Sequence, residues 1–191
     1  MRLILVRHGQ TDENTKGIIQ MFDSKLTELG KKQARDVALK LKDEKIDIVY
    51  VSDLTRTIET AQEIIKNYPK IKVIHTKELR EKDVGEFKGK SLEDLKQETI
   101  KSGLSFYDFA PEDGESFIDL QKRIVKFYEL LSKQYKNKTV LVITHRGSII
   151  TLLLHLQNKS FEEYKNFKID NTAIVYIINE FKKVKIKIDE N

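Results

Sequence analysis

Two kinds of apolar pattern alternate along this chain. Short, nearly continuous runs predict strands at Leu3–Arg7, Ile46–Ser52, Lys72–Thr76, Thr139–Thr144 and Ala173–Asn179. Between them, apolar residues recur at helical spacing. Ala34, Val37, Ala38 and Leu41 make one stripe; Leu54, Ile58, Ala61 and Ile65 make a second; Phe117, Leu120, Ile124, Phe127 and Leu131 make a third, on the longest predicted helix. Ser91 with Asp94, and Ser160 with Glu163, have the spacing of capped helix starts. Strands alternating with helices predict an α/β fold whose mostly parallel sheet is covered on both faces. The segment Val184-Lys185-Ile186-Lys187-Ile188 alternates apolar and charged residues, as an edge strand does.

Nothing interrupts this alternation. Pro69 and Pro111 are the only prolines, and there is no Gly/Ser-rich linker or internal repeat, so one domain over residues 1–191 is expected. A hydrophobic share of 39% beside a charged share of 34% is that of a globular chain. No apolar run approaches the roughly 18–20 residues that cross a bilayer. The N-terminal apolar stretch is cut short by Arg7-His8, too soon for a signal peptide, and a cytoplasmic protein with no membrane partner is expected. The absence of cysteine excludes disulfides, thiolate metal sites and a cysteine nucleophile. A net charge of +5 favours anionic partners. The lysines are scattered, without a basic face interleaved with aromatics, so no nucleic-acid partner is expected. The lysines of the edge strand disfavour pairing with another chain, and the oligomeric state is left open.

The chemistry gathers at strand ends. In an open parallel sheet, ligands bind beyond the carboxyl ends of the strands. The first strand ends in Arg7-His8-Gly9, the second in Ser52-Asp53-Leu54-Thr55-Arg56, and a later one in Thr144-His145-Arg146-Gly147. Packing has no use for that repetition, whereas phosphoryl transfer needs cationic donors around three oxygens and an in-line nucleophile. Arg7 and Arg56 suit the oxygens, Arg56 from the first turn of a helix, where free amides also favour an anion. One histidine can attack phosphorus while the other donates to an oxygen. Neighbouring cations should keep the attacking imidazole neutral, and Gly9 should let the backbone approach a ligand. A general acid for the leaving oxygen is expected in the loop after the third strand, from Glu81, Asp83 or Glu86; spacing does not choose among them. His75 and His155 lack such neighbours and receive no role.

These blocks together resemble the histidine phosphatase superfamily, in the branch that includes the cofactor-dependent phosphoglycerate mutases. The resemblance runs in order through nearly the whole chain: Arg7-His8-Gly9 with Thr11 and Asn14; Gln20, Asp23 and Leu26-Thr27-Glu28-Leu29-Gly30; Ser52-Asp53-Leu54 through Arg56-Thr57; Leu79-Arg80-Glu81 with Gly85-Glu86-Phe87; Gly114-Glu115-Ser116 with Arg123; and Thr144-His145. It implies a phosphoglycerate mutase-like three-layer α/β/α sandwich with an antiparallel edge strand. It also implies that His8 is the nucleophile and becomes phosphohistidine, that Glu81 protonates the leaving alcohol and then activates water, and that Arg7, Arg56, His145 and Asn14 bind the phosphoryl group. No metal or cofactor is implied. Gln20 and Arg146 are possible substrate contacts. Met21 and Arg146 stand where glycine is common in the family, and Ile150 where arginine is frequent. Arg146 is expected either to leave the site as a solvated charge, the slightly favoured reading, or to meet a second anionic group on the substrate.

Only a short covering segment, near residues 90–113, separates the acid loop from Gly114-Glu115-Ser116. By resemblance, a mutase would carry more chain there to exclude water. Together with Gln10-Thr11 this favours a metal-independent phosphomonoester hydrolase acting on a small phosphorylated metabolite such as α-ribazole phosphate, phosphoserine or a sugar phosphate. A phosphoglycerate mutase is the alternative, and a non-catalytic phospho-ligand binding module a remoter one. Leu104, Phe106, Tyr107 and Phe109 either shape the leaving-group pocket or pack the cover onto the core.

Overall fold

The computed structural model describes residues 1–180 and 183–189. Its centre is a six-stranded sheet. In chain order the strands are β1 (Arg2–Arg7), β2 (Ile48–Ser52), β3 (Val73–Thr76), β4 (Thr139–Thr144), β5 (Ile174–Glu180) and β6 (Lys183–Asp189), arranged as β3-β2-β4-β1-β5-β6. The first four are parallel; β5 runs antiparallel to β1, and β6 antiparallel to β5. The expected mostly parallel sheet with an antiparallel edge is therefore present. On that edge Ile186 and Ile188 pack inward while Lys185 and Lys187 are exposed.

Alternation along the strands builds two cores. Leu3 and Leu5 of β1, with Val140 and Val142 of β4, face one side; Ile4 and Val6, with Leu141 and Ile143, face the other. The first side is covered by α5 (Phe117–Gln134) and α6 (Arg146–Leu156), the second by α2 (Glu28–Leu41) and α3 (Thr55–Ile65), which gives the three expected layers. A short α1 (Asp12–Lys16) follows the first strand, and α4 (Leu92–Ser102) lies in the covering segment. In α6 every residue from Gly147 to Leu154 is buried, because sheet, α5 and the turn at 161–166 enclose it. Each such Leu or Ile contributes about 1.5–3 kcal/mol by leaving water. Ile150, where the family often has arginine, belongs to this core.

Several local expectations hold. The α2 stripe is buried, and Ser91 forms a reciprocal capping box with Asp94; Thr11 with Asn14 and Ser116 with Asp119 do the same. Others shift. On α3 the buried face is Arg56, Thr57, Thr60, Ala61 and Ile64, turned from the apolar stripe toward polar residues. Ser160 opens a 3-10 helix over Phe161–Asn166, and its side chain makes no cap hydrogen bond. Phe127 is only partly buried, and Tyr128 takes the inward position on α5.

The loop leaving β1 crosses the start of α2 at backbone contact. A Cβ at Gly9 would sit 2.5 Å from the Gly30 carbonyl oxygen, and a Cβ at Gly30 would sit 2.2 Å from that of Gln10. Neither glycine has a positive φ, so close approach of two backbones, rather than of backbone to ligand, is what excludes a side chain at Gly9. Gly30→Ala must push these segments apart. The expected loss is about 1–3 kcal/mol, the scale of overpacking, read as a lower urea midpoint at unchanged m-value; an unaltered midpoint would show that the crossing yields freely.

Candidate active site

The carboxyl ends of β1, β2 and β4 converge, and their parallel register sets the side chains that follow beside one another. Arg7 pairs in register with Thr144, so His8 and His145 leave neighbouring strands at the same level. Their ring centres are 5.2 Å apart, and both rings are buried. The His8 Nδ1 lies 2.7 Å from the Gly9 carbonyl oxygen. A carbonyl only accepts, so Nδ1 carries the proton and Nε2 keeps its lone pair. The backbone of His8 is pinned as well: its amide donates to the Thr144 carbonyl, and its carbonyl accepts from the Thr172 amide and Asn171 Nδ2. Its imidazole pKa is held well below the ordinary 6.5, first by burial and then by the Arg56 and Arg7 charges. The expected neutral imidazole is thus present, but loss of water outweighs the neighbouring cations that sequence reasoning invoked. His145 shows the same shift, again with burial first. Its Nε2 lies 2.8 Å from Ser52 Oγ, and its buried Nδ1 has no hydrogen-bond partner among the described residues.

Arg56 is the second residue of α3 and is 2% exposed. One Nη donates to the Met21 carbonyl at 3.0 Å, while Nε is buried without a partner. Arg7 repeats the arrangement, with one Nη on the Ile169 carbonyl at 2.8 Å and its Nε also unpartnered. Burial pushes each guanidinium down to about 10, against the pull of Glu81. Neither forms an ion pair with a described carboxylate, so most of their donors are available to oxygens of an anion.

Three carboxylates follow β3 in the loop, and the structure separates them. Asp83 is tied to Lys88 at 2.6 Å and to the Gly85 amide, and Glu86 lies on the surface with Lys90. The Glu81 carboxylate accepts from the Lys82 amide at 3.0 Å and from the Gly147 amide, in the first turn of α6, at 2.9 Å. A Cβ on Gly147 would fall 2.2 Å from Glu81 Oε1, so glycine is what admits the carboxylate here. Beneath the loop, the Arg123 guanidinium donates to the Glu78 and Arg80 carbonyls and pairs with Glu115, which holds the loop to α5.

Arg7, His8, Arg56, Glu81 and Arg123 border one cavity of about 1330 Å³, whereas His145 lies buried beside His8 and Glu86 points away from it on the surface. Asn14 lines it and accepts at Oδ1 from the Thr11 amide and from Asn171 Nδ2, which leaves its own amide protons for a ligand. Gln20 lines it too, with Nε2 on Thr11 Oγ1 at 2.6 Å. Arg146 is half-buried in the wall, its guanidinium 5.3 Å from the centre of the Tyr164 ring, and is not a freely solvated charge. Met21 gives Arg56 its carbonyl and stands exposed at the mouth. Of the aromatic cover, Phe106 and Tyr107 line the cavity, whereas Phe109 is buried in a separate small cluster with Val84, Phe87 and Leu95, and Leu104 is exposed. Both readings of that segment therefore hold, for different residues. His75 and His155 are exposed and line no part of the cavity.

Sequence reasoning missed Asn171, Ser52 as the partner of His145, and Lys82, which is buried in the cavity wall. Each acquires its place through a contact remote in sequence. Among the described residues there is no cluster of side chains able to hold a metal ion, and no helix is long and apolar enough to cross a membrane.

Comparison with known proteins bears on this geometry. A probable phosphatase of Schizosaccharomyces pombe is 31% identical over 177 residues, which cover 91% of this chain and 79% of that protein. A 2,3-bisphosphoglycerate-dependent phosphoglycerate mutase of Chelativorans sp. (strain BNC1) is 33% identical over 189 residues, 93% of this chain and 92% of that one. The solved structure of phosphoserine phosphatase from Entamoeba histolytica, in complex with 3-phosphoglyceric acid, is 30% identical with a TM-score of 0.86, covering 100% of this chain and 97% of that one. The family model for the histidine phosphatase superfamily (branch 1) matches residues 3–188, from the first strand to the last, and this chain belongs to that family.

Proposed function

We propose that the protein is a metal-independent phosphomonoester hydrolase that works through a phosphohistidine at His8 on a small phosphorylated metabolite. The observation that carries this reading is the locked tautomer of His8, which presents an unprotonated Nε2 near the buried Arg56 and the half-buried Arg7, neither ion-paired among the described residues. In this reading the phosphoryl oxygens lie against Arg7, Arg56, His145 Nδ1 and the Asn14 amide, and Gln20 and Arg146 contact the rest of the substrate. His8 Nε2 attacks phosphorus in line with the ester oxygen. The P–N bond forms as the P–O bond to the alcohol breaks, and Glu81 passes its proton to the departing oxygen. Water then enters; Glu81 takes its proton as the water oxygen attacks, the P–N bond breaks, and phosphate leaves with His8 neutral again. The donors are in place before charge develops, which is how such a site lowers a barrier.

The same groups would serve a mutase, in which the phosphoryl returns to a substrate oxygen. The mutase relative is covered over 92% of its own length, so a short covering segment does not by itself separate the two reactions. What supports hydrolysis is the open mouth of the cavity, where Met21, Phe22 and Leu92 are each more than half exposed and water reaches the wall. The phosphatase relatives support it too.

Phosphate release from a panel of monoesters, with chelator present, tests the proposal. Wild type is expected to release phosphate undiminished by chelator, and His8→Ala to release none. Turnover that survives in His8→Ala would remove the nucleophile from this mechanism, and exchange of phosphoryl groups between phosphoglycerates without release would establish the mutase. Glu81→Gln should lower kcat by about 10²–10⁴-fold on alkyl esters, the range for general acid–base catalysis. On p-nitrophenyl phosphate, whose leaving group needs little protonation, the loss should be much smaller; equal losses on both would rule out proton donation to the leaving group.

The depressed imidazole pKa also fixes the sign of a pH effect. Attack needs neutral His8, and a group whose pKa lies well below 6.5 stays neutral as the pH falls through that value. Protonation of His8 is accordingly expected to cut kcat/KM only well below pH 6.5, and an acid limb centred at 6.5 or above would contradict a desolvated nucleophile.

A further inference from the structure

The turn before β5 touches three of the residues that would handle a phosphoryl group. The Ile169 carbonyl accepts from an Arg7 Nη at 2.8 Å, and the Thr172 amide donates to the His8 carbonyl at 3.3 Å. Asn171, between them, reaches further. Its Nδ2 donates to the same His8 carbonyl at 3.0 Å and to Asn14 Oδ1 at 3.3 Å. The two asparagines are 157 residues apart in sequence, and both line the cavity. The turn that brings them together is strained. Thr172 is buried with a φ of 61°, a left-handed conformation in which a β-branched residue is a genuine outlier. Such a conformation persists only where its surroundings over-determine it. Here the Thr172 amide is tied to His8, Thr172 Oγ1 donates to the Asn171 carbonyl at 2.6 Å, and the Ala173 amide donates to the Asp170 carbonyl at 3.1 Å.

Backbone groups fix which way each side-chain amide faces. The Thr11 amide, 3.3 Å from Asn14, can only donate, so the atom it meets is Oδ1. The His8 carbonyl can only accept, so the atom that meets it is the Asn171 nitrogen. With Oδ1 committed to Thr11 and Asn171, the Asn14 nitrogen keeps its protons for the cavity. The two oxygens that Asn171 joins would repel each other without it, because both are acceptors only; Nδ2 supplies one proton to each. An asparagine that served only its own turn would bond to that turn's backbone. This one directs its donors to the nucleophile's carbonyl and to a phosphoryl-binding side chain.

On the phosphatase reading above, we infer that Asn171 is a positioning residue for the phosphoryl group and acts through Asn14. It holds the Asn14 side chain at a set distance from the His8 backbone, with the Asn14 amide aimed at a phosphoryl oxygen. The His8 carbonyl retains the Thr172 amide when the Asn171 side chain is cut back, so Asn14 is where its loss is felt.

Binding of orthovanadate, an oxyanion that takes up the five-coordinate geometry of phosphoryl transfer, tests this by calorimetry in a double-mutant cycle. Asn14→Ala and Asn171→Ala are each expected to weaken vanadate about tenfold or more, the scale of one hydrogen bond to a charged group. In protein that already carries Asn14→Ala, Asn171→Ala should cost less than about threefold, because the group it positions is gone. Were Asn171 only a structural support of the turn, the two losses would multiply. Asn171→Ser, whose one hydroxyl proton cannot serve both oxygens, gives the same comparison if Asn171→Ala does not fold. Undiminished affinity in a folded Asn171 variant, or an equal loss with and without Asn14, overturns the assignment. The cycle is read whether or not wild type hydrolyses an ester, so absent hydrolysis counts against the phosphatase reading and leaves this result standing.

Discussion

Two guanidinium groups, Arg56 buried and Arg7 half-buried with its Nε out of contact with water, stand at the head of the sheet with no carboxylate among the described residues paired to either. Water has been removed from them, and the protein returns only single carbonyl contacts at Ile169 and Met21. Holding charge this way costs on the order of several kcal/mol per ion, and the two cores on either side of the sheet must offset it. The rest of the site follows from this constraint. On the proposed reading, a cation withdrawn from water would take a phosphoryl group in place of its lost hydration. The same dry environment suppresses protonation of the two histidines between the guanidiniums. Ligand binding should for that reason also stabilise the fold, because an anion that enters only the native site shifts the folding equilibrium toward it.

The parallel register explains how one sheet can sustain that constraint. β1, β2 and β4 are the central parallel strands, apolar on both faces and covered on both, so their ends are fixed by the best-packed part of the molecule. Residues one step past those ends inherit that rigidity without belonging to the core. The cover differs. Val84, Phe87, Leu95 and Phe109 form a cluster apart from both main cores, and the covering segment joins the first core through the rings of Phe106 and Tyr107 on Phe117, Phe161 and Tyr164.

Much of this was legible in the sequence, and the exceptions have physical reasons. Strands could be read because a sheet covered on both faces demands continuous apolar runs. The residues at strand ends could be read because a charged pair such as Arg7-His8 directly after such a run has no role in packing. On α3 the apolar stripe misled by part of a turn: Arg56, Thr57 and Thr60 face inward to serve the site, with Thr60 Oγ1 accepting from the Gly9 amide. Gly9 was legible as special but for another reason, since its neighbour is the backbone of Gly30. Among Glu81, Asp83 and Glu86, spacing could not choose, because what sets Glu81 apart is its contact with the amide of Gly147, 66 residues away, where the missing side chain leaves space for its carboxylate. Lys82 and Asn171 were invisible for the same reason. A lysine in a charged loop and an asparagine in a turn look ordinary until the chain closes around them.

The bond between Glu81 and the Gly147 amide has a mechanical side. His145 stands at the N-cap position of the helix that Arg146 begins, and that helix continues directly from β4, so the carboxylate held by Gly147, the second histidine and the strand beside β1 share one frame. Although Glu81 belongs to the loop after β3, its tie to the Gly147 amide refers its carboxylate to the same strands that carry His8 and His145. A shift of β4 against β1 would therefore move the carboxylate and the second histidine together, as one jaw facing His8.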